Sequence, residues 1–246
     1  MEKGQITASV TAWKLKKEFI QSPRIFTDTI ICECTLLLKE GPSTEKIMCT
    51  EEQLEELVIG HLLCQGRILT KDDVEFVHQE MTSDGVTIEV RILTDVSSRI
   101  KENQGNERLP QTFPMDMKKV MEFSEVMLTS NPLFEQTGAL HSCLISTNDG
   151  EKQYVCSDMG RHNAIDKAIG CMVKAGENLQ NCTLFTTGRV PSDMMMKAVV
   201  AGIPMMVSRG AVTRQAIELA RKHGIILCGF SRGERLNIYT ADMGEA

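Results

Sequence analysis

The second half of the chain alternates between short apolar segments and longer segments with helical periodicity. Residues 182–186, 205–208 and 225–230 are apolar and have the length of buried strands. Helical patterns occupy 191–201, where a proline opens the first turn, and 213–223, where a glycine follows the last turn. Alternating strands and helices are typical of α/β proteins. The sequence therefore predicts an α/β fold built on a mostly parallel sheet.

A polar turn follows each predicted strand of this half, and every such turn contains both a glycine and an arginine. In sheets of this kind, ligands bind outside the carboxyl ends of the strands, so we expect the turns to share one edge. Taken singly, each turn has a simpler interpretation as an exposed arginine or a solvated hairpin tip. Together they predict a site for a large, multiply charged anion, formed by turns 157–163, 187–190, 208–213 and 230–235 with Arg161, Arg189, Arg209, Arg232 and Arg235.

The first of these turns opens the segment Ser-Asp-Met-Gly-Arg-His-Asn-Ala-Ile-Asp-Lys-Ala-Ile-Gly at 157–170. A short strand precedes it at 152–156, and apolar residues recur at helical spacing after it. Gly160 allows a close backbone approach, and the N–H groups that open a helix favour anions. Arg161 and Lys167 add positive charge. The segment therefore predicts a phosphate-binding turn.

The net charge of −6 is unevenly distributed along the chain. Residues 1–150 contain 15 basic and 24 acidic side chains, a balance of −9, whereas residues 151–246 contain 12 and 9, a balance of +3. An anionic ligand therefore favours the second part, and the overall acidity argues against general nucleic-acid binding.

We expect a cytoplasmic protein, because the sequence shows neither a signal peptide nor an apolar run long enough to span a membrane. Nine irregularly placed cysteines indicate free thiols rather than a disulfide framework, and their spacing does not favour a metal site.

The first half predicts a smaller α+β part. Residues 30–38 resemble a strand, and Thr50 with Gln53 fits a capping box for a helix that ends at Gly66. His61 falls on the apolar face of that helix, where a core or interface histidine is a simpler interpretation than a ligand.

Strict alternation at 86–92 predicts a further strand, and periodicity is then lost at 97–112, where we expect a mobile loop. A helix follows at 117–130. These patterns divide the chain into an N-terminal part, 1–112, and an α/β cofactor-binding core, 113–246, which could also form one continuous domain.

Several segments of the chain, in this order, resemble the FdhD/NarQ family of formate dehydrogenase accessory proteins. The run Gly-Arg-His-Asn-Ala-Ile-Asp-Lys is highly specific, and the likeness extends over residues 30–240. The matching segments are Glu51–Ile68, Phe134–His141, Met159–Gly170, Thr187–Arg189 and Ala201–Thr240.

The resemblance implies a cytoplasmic homodimer with a cytidine-deaminase-like, three-layer α/β/α core. It implies binding of the molybdenum (or tungsten) bis-molybdopterin guanine dinucleotide cofactor on behalf of formate dehydrogenase apoenzyme. It also implies sulfur transfer, as a persulfide, from a cysteine desulfurase to the metal. By motif match, the cofactor contacts would be Phe230, Ser231, Arg232, Gly233, Glu234 and Arg235, together with Gly160, Arg161, His162, Gly188 and Arg189.

The chain departs from the family in the loop that carries sulfur. The family pattern there is Cys-Gly-x-Cys-Gly, whereas residues 97–108 of this chain contain no cysteine. Persulfide chemistry needs an accessible thiolate. Cys143, close to a family motif, and Cys156, at the mouth of the Gly160 turn, are the remaining candidates.

Three hypotheses follow from the sequence. The chain could be an accessory protein that binds the cofactor and transfers sulfur, or a cofactor carrier that handles no sulfur. The third is a nucleotide-acting enzyme on the same scaffold, with His162 as general base and Asp166 beside it at i, i+4 spacing.

Overall fold

The computed structural model describes residues 6–16, 23–82, 85–93 and 113–241, and the loop predicted at 97–112 lies outside these residues. The strands are β1 (Thr7–Lys14), β2 (Arg24–Ile31), β3 (Cys34–Glu40), β4 (Ser43–Cys49), β5 (Val74–Thr82), β6 (Gly85–Ile92), β7 (His141–Thr147), β8 (Gln153–Asp158), β9 (Cys182–Thr186), β10 (Met205–Ser208), β11 (Ile226–Arg232) and β12 (Arg235–Ile238). The helices are α1 (Leu54–Cys64), α2 (Met117–Thr129), α3 (Pro132–Thr137), α4 (Arg161–Lys174), α5 (Ser192–Ala201) and α6 (Arg214–Lys222).

A six-stranded sheet with the order β12-β11-β10-β9-β7-β8 forms the centre of the second half. The strands β9, β10 and β11 are parallel, but β7 is antiparallel to both of its neighbours and β12 is antiparallel to β11. The predicted mostly parallel sheet is therefore wrong, and the sheet is mixed. The physical reason is that β7 and β8 are joined by a tight turn, which permits only antiparallel pairing.

Helices cover both faces of this sheet and give three layers. Leu144 and Phe185 face α2, where the ring of Phe185 meets Phe123 edge to face at 6.0 Å. Their neighbours Ile145 and Leu184 belong to the apolar cluster formed with α4, α5 and α6. Successive strand residues point to opposite faces, so each strand supplies both cores. The α/β class predicted from the sequence is confirmed.

A four-stranded sheet with the order β4-β3-β6-β5 shares an apolar cluster with α1. The helices α1 and α4 meet at glycines, because a Cβ added to Gly60 would overlap the carbonyl oxygen of Asp166. A Cβ added to Gly170 would likewise overlap the carbonyl oxygen of Glu56. One apolar cluster thus contains residues from both predicted parts of the chain, and the division into two parts stays a prediction.

The strands β1 and β2 form a separate two-stranded antiparallel ribbon. The single strand predicted at 30–38 is wrong, since β2 ends at Ile31 and β3 begins at Cys34 in a different sheet. Periodicity alone does not reveal this interruption, because apolar residues continue across it.

The predicted capping box at the start of α1 is also wrong. Gln53 adopts a left-handed conformation and makes no side-chain cap, while the Thr50 hydroxyl lies within 3.2 Å of an Asp158 carboxylate oxygen. A buried carboxylate therefore outcompetes the helix end for the threonine. The predicted helices at 117–130, 191–201 and 213–223 are confirmed to within a few residues. In the described residues, no helix is long and apolar enough to cross a membrane.

Candidate anion-binding edge

The four turns predicted to form one site do share an edge of the six-stranded sheet. The strands β8 and β9 are both antiparallel to β7, so they run in the same direction, and β10 and β11 follow them. The turns after β8, β9, β10 and β11 therefore leave the sheet on the same side. The β7 strand contributes its first residue, His141, to this edge, because it runs the opposite way.

The first two turns are packed directly against each other. A Cβ added to Gly188 would lie 3.0 Å from Cβ of Arg161, so the lack of a side chain lets α4 begin against the turn after β9. The Gly188 backbone N–H donates to the Thr186 hydroxyl over 3.1 Å, which fixes the turn.

Hydrogen bonds join the remaining turns into a continuous edge. The Ser208 hydroxyl donates to the carbonyl oxygen of Gly188 and accepts from the N–H of Gly210, over 2.7 and 2.9 Å. The Phe230 N–H donates to the carbonyl oxygen of Gly210 over 3.0 Å. The Arg232 guanidinium, through Nε, donates to the carbonyl oxygen of Arg209 over 3.1 Å.

The arginines of this edge have no counter-ions among the described residues. None of Arg161, Arg189, Arg209, Arg232 and Arg235 forms an ion pair there. The Nε of Arg161 is buried and has no hydrogen-bond partner in the described structure. A buried polar group without a hydrogen-bond partner costs free energy. An anionic ligand that accepted a hydrogen bond from this Nε would remove that cost.

The segment 230–235 forms a hairpin tip rather than an open loop. The exposed residues Gly233 and Glu234 connect β11 to β12, and Arg232 faces Arg235 across the hairpin. Ser231 turns inward, and its hydroxyl donates to Ser124 on α2 over 2.8 Å. The structure therefore brings the arginines of this segment to the edge but not the serine.

Phe230 lies at the start of this hairpin with a φ of 52°, a left-handed conformation that is rare for a bulky residue. Such strain persists where the surroundings impose it and is frequent at binding sites. The residue is half-buried, and its backbone N–H ties it to the turn after β10, so its ring could stack on a base bound at this edge.

The positive charge of Lys167 does not reach the edge. Its side chain is fully buried and forms an ion pair with the fully buried Asp158 at 2.7 Å. The other carboxylate oxygen of Asp158 accepts from the N–H of Gly160 and from Asn163. This pair shapes the turn before α4, and Arg161 supplies the charge that a ligand would meet.

His162 and Asp166 do not form the predicted acid–base pair. His162 Nε2 lies 3.4 Å from Asp193 at the start of α5, and burial and Lys197 lower the pKa of His162. Asp166 instead binds Lys197 at 2.6 Å and lies 3.4 Å from His61. The i, i+4 spacing is real, but α1 and α5 supply stronger partners to each side chain.

His61 joins α1 to its neighbours, as its predicted interface role requires. Burial lowers the pKa of His61, but the carboxylates of Asp166 and Glu45 outweigh burial and leave it above its ordinary value. Its Nε2 lies 2.9 Å from Glu45.

Both candidate sulfur residues lie in the interior. Burial raises the pKa of the Cys143 thiol well above its ordinary value, and its Sγ donates to the carbonyl oxygen of Phe185 over 2.8 Å. A hydrogen bond with Cys171 and burial raise the pKa of Cys156 well above its ordinary value. Neither environment favours the thiolate that sulfur transfer needs.

The site residue that sequence reasoning missed is His141. It lies at the edge between Asp158 and the turn that contains Thr187. The motif Thr-Gly-Ala-Leu-His was visible in the sequence, but the antiparallel insertion of β7 that brings the histidine to the edge was not.

Comparison with known proteins identifies the family. The model of the FdhD/NarQ family matches residues 32–244, which is most of the chain. The chain belongs to the FdhD/NarQ family. A sulfur carrier protein FdhD from Staphylococcus haemolyticus is 30% identical over 234 residues, covering 87% of this chain and 88% of the relative.

Other FdhD/NarQ proteins and one crystal structure support the assignment to this family. The sulfur carrier protein FdhD of Wolinella succinogenes is 29% identical over 83% of this chain and 77% of its own. A relative from Anaeromyxobacter is 37% identical over a shorter stretch, 53% of this chain and 48% of its own. A candidate formate dehydrogenase accessory protein from Desulfotalea psychrophila superposes with a TM-score of 0.79 and 25% identity, covering 96% of this chain and 98% of the other.

Proposed function

We propose that this protein binds the guanine dinucleotide portion of the molybdenum (or tungsten) cofactor and delivers the cofactor to formate dehydrogenase apoenzyme. The proposed binding site is the arginine edge, the edge of the six-stranded sheet where the turns carry Arg161, Arg189, Arg209, Arg232 and Arg235. The observation that carries the proposal is the row of arginines that have no counter-ion among the described residues, including Arg161, whose buried Nε finds no hydrogen-bond partner there. Family membership suggests formate dehydrogenase as the client enzyme. The relatives are named sulfur carrier proteins, and the similar crystal structure is described as a formate dehydrogenase accessory protein.

The residues present fit such a ligand. Guanidinium groups bind phosphate oxygens in bidentate geometry, so Arg161, Arg189 and Arg232 suit the pyrophosphate. The Phe230 ring suits a guanine base, since stacking accepts any base plane. The cofactor would be cargo here, and its metal would supply redox chemistry only in the client enzyme. The contribution of this chain is to bind and orient the anionic end.

The proposed carrier has no cysteine of its own in the loop that carries sulfur in the family. The segment 97–108 has no cysteine, and Cys143 and Cys156 are buried. A cysteine desulfurase is therefore proposed as a partner only if sulfur loading is detected on this chain. We further propose that the protein acts in the cytoplasm as a homodimer, as the family resemblance implies.

Calorimetry with GDP at low salt tests the proposed site. Wild-type protein should bind GDP with micromolar affinity, and the double variant Arg232→Ala with Arg235→Ala should bind at least about tenfold more weakly. The reason is that each hydrogen bond to a charged group contributes about 1.5–3 kcal/mol. Failure of the wild-type protein to bind GDP would contradict the proposal.

A matched variant separates a specific site from simple charge attraction. Arg221→Ala with Lys222→Ala also removes two positive charges, but from exposed positions in the last turn of α6, at the end far from the edge. This control should keep wild-type affinity. If both double variants weaken GDP binding equally, the affinity depends on the overall charge of the protein rather than on specific contacts at the arginine edge.

A further inference from the structure

The half-buried His141 connects three parts of the arginine edge. As the first residue of β7, it pairs in register with Asp158 at the end of β8. On its other side, its Nδ1 lies 3.5 Å from the hydroxyl of Thr187, immediately before the Gly188-Arg189 turn. The histidine therefore lies between the turns that supply Arg161 and Arg189.

The hydrogen bonds around Thr187 leave one lone pair of its hydroxyl free for a proton on Nδ1 of the neutral ring. The Thr187 hydroxyl accepts from the N–H of Ser142 over 3.0 Å and can donate to the Ser142 carbonyl oxygen over 3.3 Å. Its remaining lone pair can accept from Nδ1–H of His141, over 3.5 Å, in the tautomer that protonates Nδ1. Among the described residues, Nε2 has no hydrogen-bond partner. In the Nδ1–H tautomer the neutral ring presents only a lone pair at Nε2, which cannot donate to a phosphate oxygen.

The charges that face His141 favour this neutral form in the free protein. Burial, then Arg161 and Arg189, lower the pKa of His141, and only Asp158 opposes them. Asp158 is itself paired with Lys167, so its opposition is partly satisfied elsewhere. An anion bound between the two arginines would reverse the balance, because it neutralises the groups that disfavour a third positive charge.

We propose that His141 takes up a proton when the anionic ligand binds, which converts Nε2 into a donor and makes His141 a binding residue of the edge. This inference rests on the proposed function and adds a named residue and a pH dependence to it. The proton comes from solvent and adds to Nε2, and no covalent bond to the ligand forms or breaks.

The direction of the pH effect follows from linkage. Ligand binding raises the pKa of His141, so the bound state holds more protons than the free state between the two pKa values. Affinity should therefore fall as pH rises through that interval, by at most tenfold per pH unit for one proton. Outside the interval the histidine has the same charge in both states, and affinity should not change with pH.

Calorimetry with P1,P2-diguanosine pyrophosphate tests the inference, since a pyrophosphate esterified at both ends does not itself titrate near neutral pH. The enthalpy is measured at one pH in two phosphate-free buffers with different heats of ionisation. Wild-type protein should show proton uptake of up to one per ligand. His141→Gln keeps a polar side chain but cannot titrate, so it should bind without proton uptake.

His223→Gln is the matched control. Burial and Lys222 also lower the pKa of His223, but this residue lies at the far end of α6, toward the opposite edge of the sheet. Its variant should keep the proton uptake of the wild type. If His223→Gln abolishes the uptake, the proposal for His141 is overturned.

A titration of the His141 ring by NMR, with and without ligand, removes any dependence on the variant being folded. The expected result is a higher pKa with ligand. Binding with an unchanged His141 pKa would overturn this inference and leave the proposed function intact. Absence of any binding to wild-type protein would overturn both.

Discussion

At the scale of single residues, the stability of the fold depends on how the buried charge of Lys167 is compensated. Its side chain is fully buried, and its ammonium contacts four oxygens. These belong to Asp158, to Ser157 and to both the hydroxyl and the carbonyl of Thr50. A buried charge is tolerated only when it is paired and hydrogen-bonded in this way.

Lys167→Met should therefore destabilise the protein by about 3–5 kcal/mol, because it leaves the Asp158 carboxylate buried without its partner. Urea unfolding at neutral pH measures the loss as a lower midpoint with an unchanged slope. Adding Asp158→Asn should recover part of the loss, since no buried charge then remains.

Lys174→Met is the control for Lys167→Met, on the same helix. Lys174 is 44% exposed and pairs with Glu55 and Glu56 at the surface, so its loss should cost about 0–1 kcal/mol. Equal losses for the two lysines would refute the importance assigned to the buried pair.

At the scale of secondary-structure elements, the contact between α1 and α4 depends on two glycines. Glycine inside a helix ordinarily destabilises it by about 1 kcal/mol relative to alanine. Here Gly60 and Gly170 lie where any side chain would overlap the backbone of the facing helix. The close approach brings His61 of α1 within reach of Asp166 of α4.

Gly60→Ala should consequently lower the stability by about 1–3 kcal/mol, opposite in sign to the effect at an exposed helix position. Gly170→Ala should act in the same direction from the other helix. Thermal or urea unfolding gives the sign directly. A stabilised Gly60→Ala protein would mean that the helices are farther apart than described.

The elements themselves were largely predictable, and their pairing was not. Strands such as 182–186 and 205–208 appear at the predicted positions because apolar runs and turn residues mark them locally. The insertion of β7 between β8 and β9 depends on contacts distant in sequence, which no local pattern records. For the same reason, the sequence wrongly predicted a capping role for Thr50 and did not reveal its buried partner Asp158.

The candidate site was likewise predictable only in part from the sequence. Arginines in successive turns predicted a shared edge, because strand direction alone decides where those turns leave the sheet. The sequence did not reveal that Ser231 turns inward to Ser124, or that Lys167 is buried. Both outcomes depend on which neighbours pack around a side chain, not on its position in a motif.

At the scale of the whole molecule, the cysteines are distributed through the interior. Seven of the nine are buried, and Cys32 and Cys64 are half-buried. All nine lie within the described residues, so the chain offers no fully exposed thiol. A carrier that receives sulfur on its own cysteine needs a thiolate that a partner can reach. The cysteines of the folded chain are therefore poorly placed to accept a persulfide from a partner.

Incubation with a cysteine desulfurase and radioactive cysteine should accordingly leave Cys143 and Cys156 unlabelled in the native protein. A thiol reagent gives the reference measurement: all nine cysteines should react in urea, and at most Cys32 and Cys64 should react in the folded chain. Label on the Cys143 peptide, lost in Cys143→Ala, would show that the interior opens to the partner. In that case the family's sulfur transfer would operate here through a residue outside the loop, and the arginine edge would hold the cofactor that receives the sulfur.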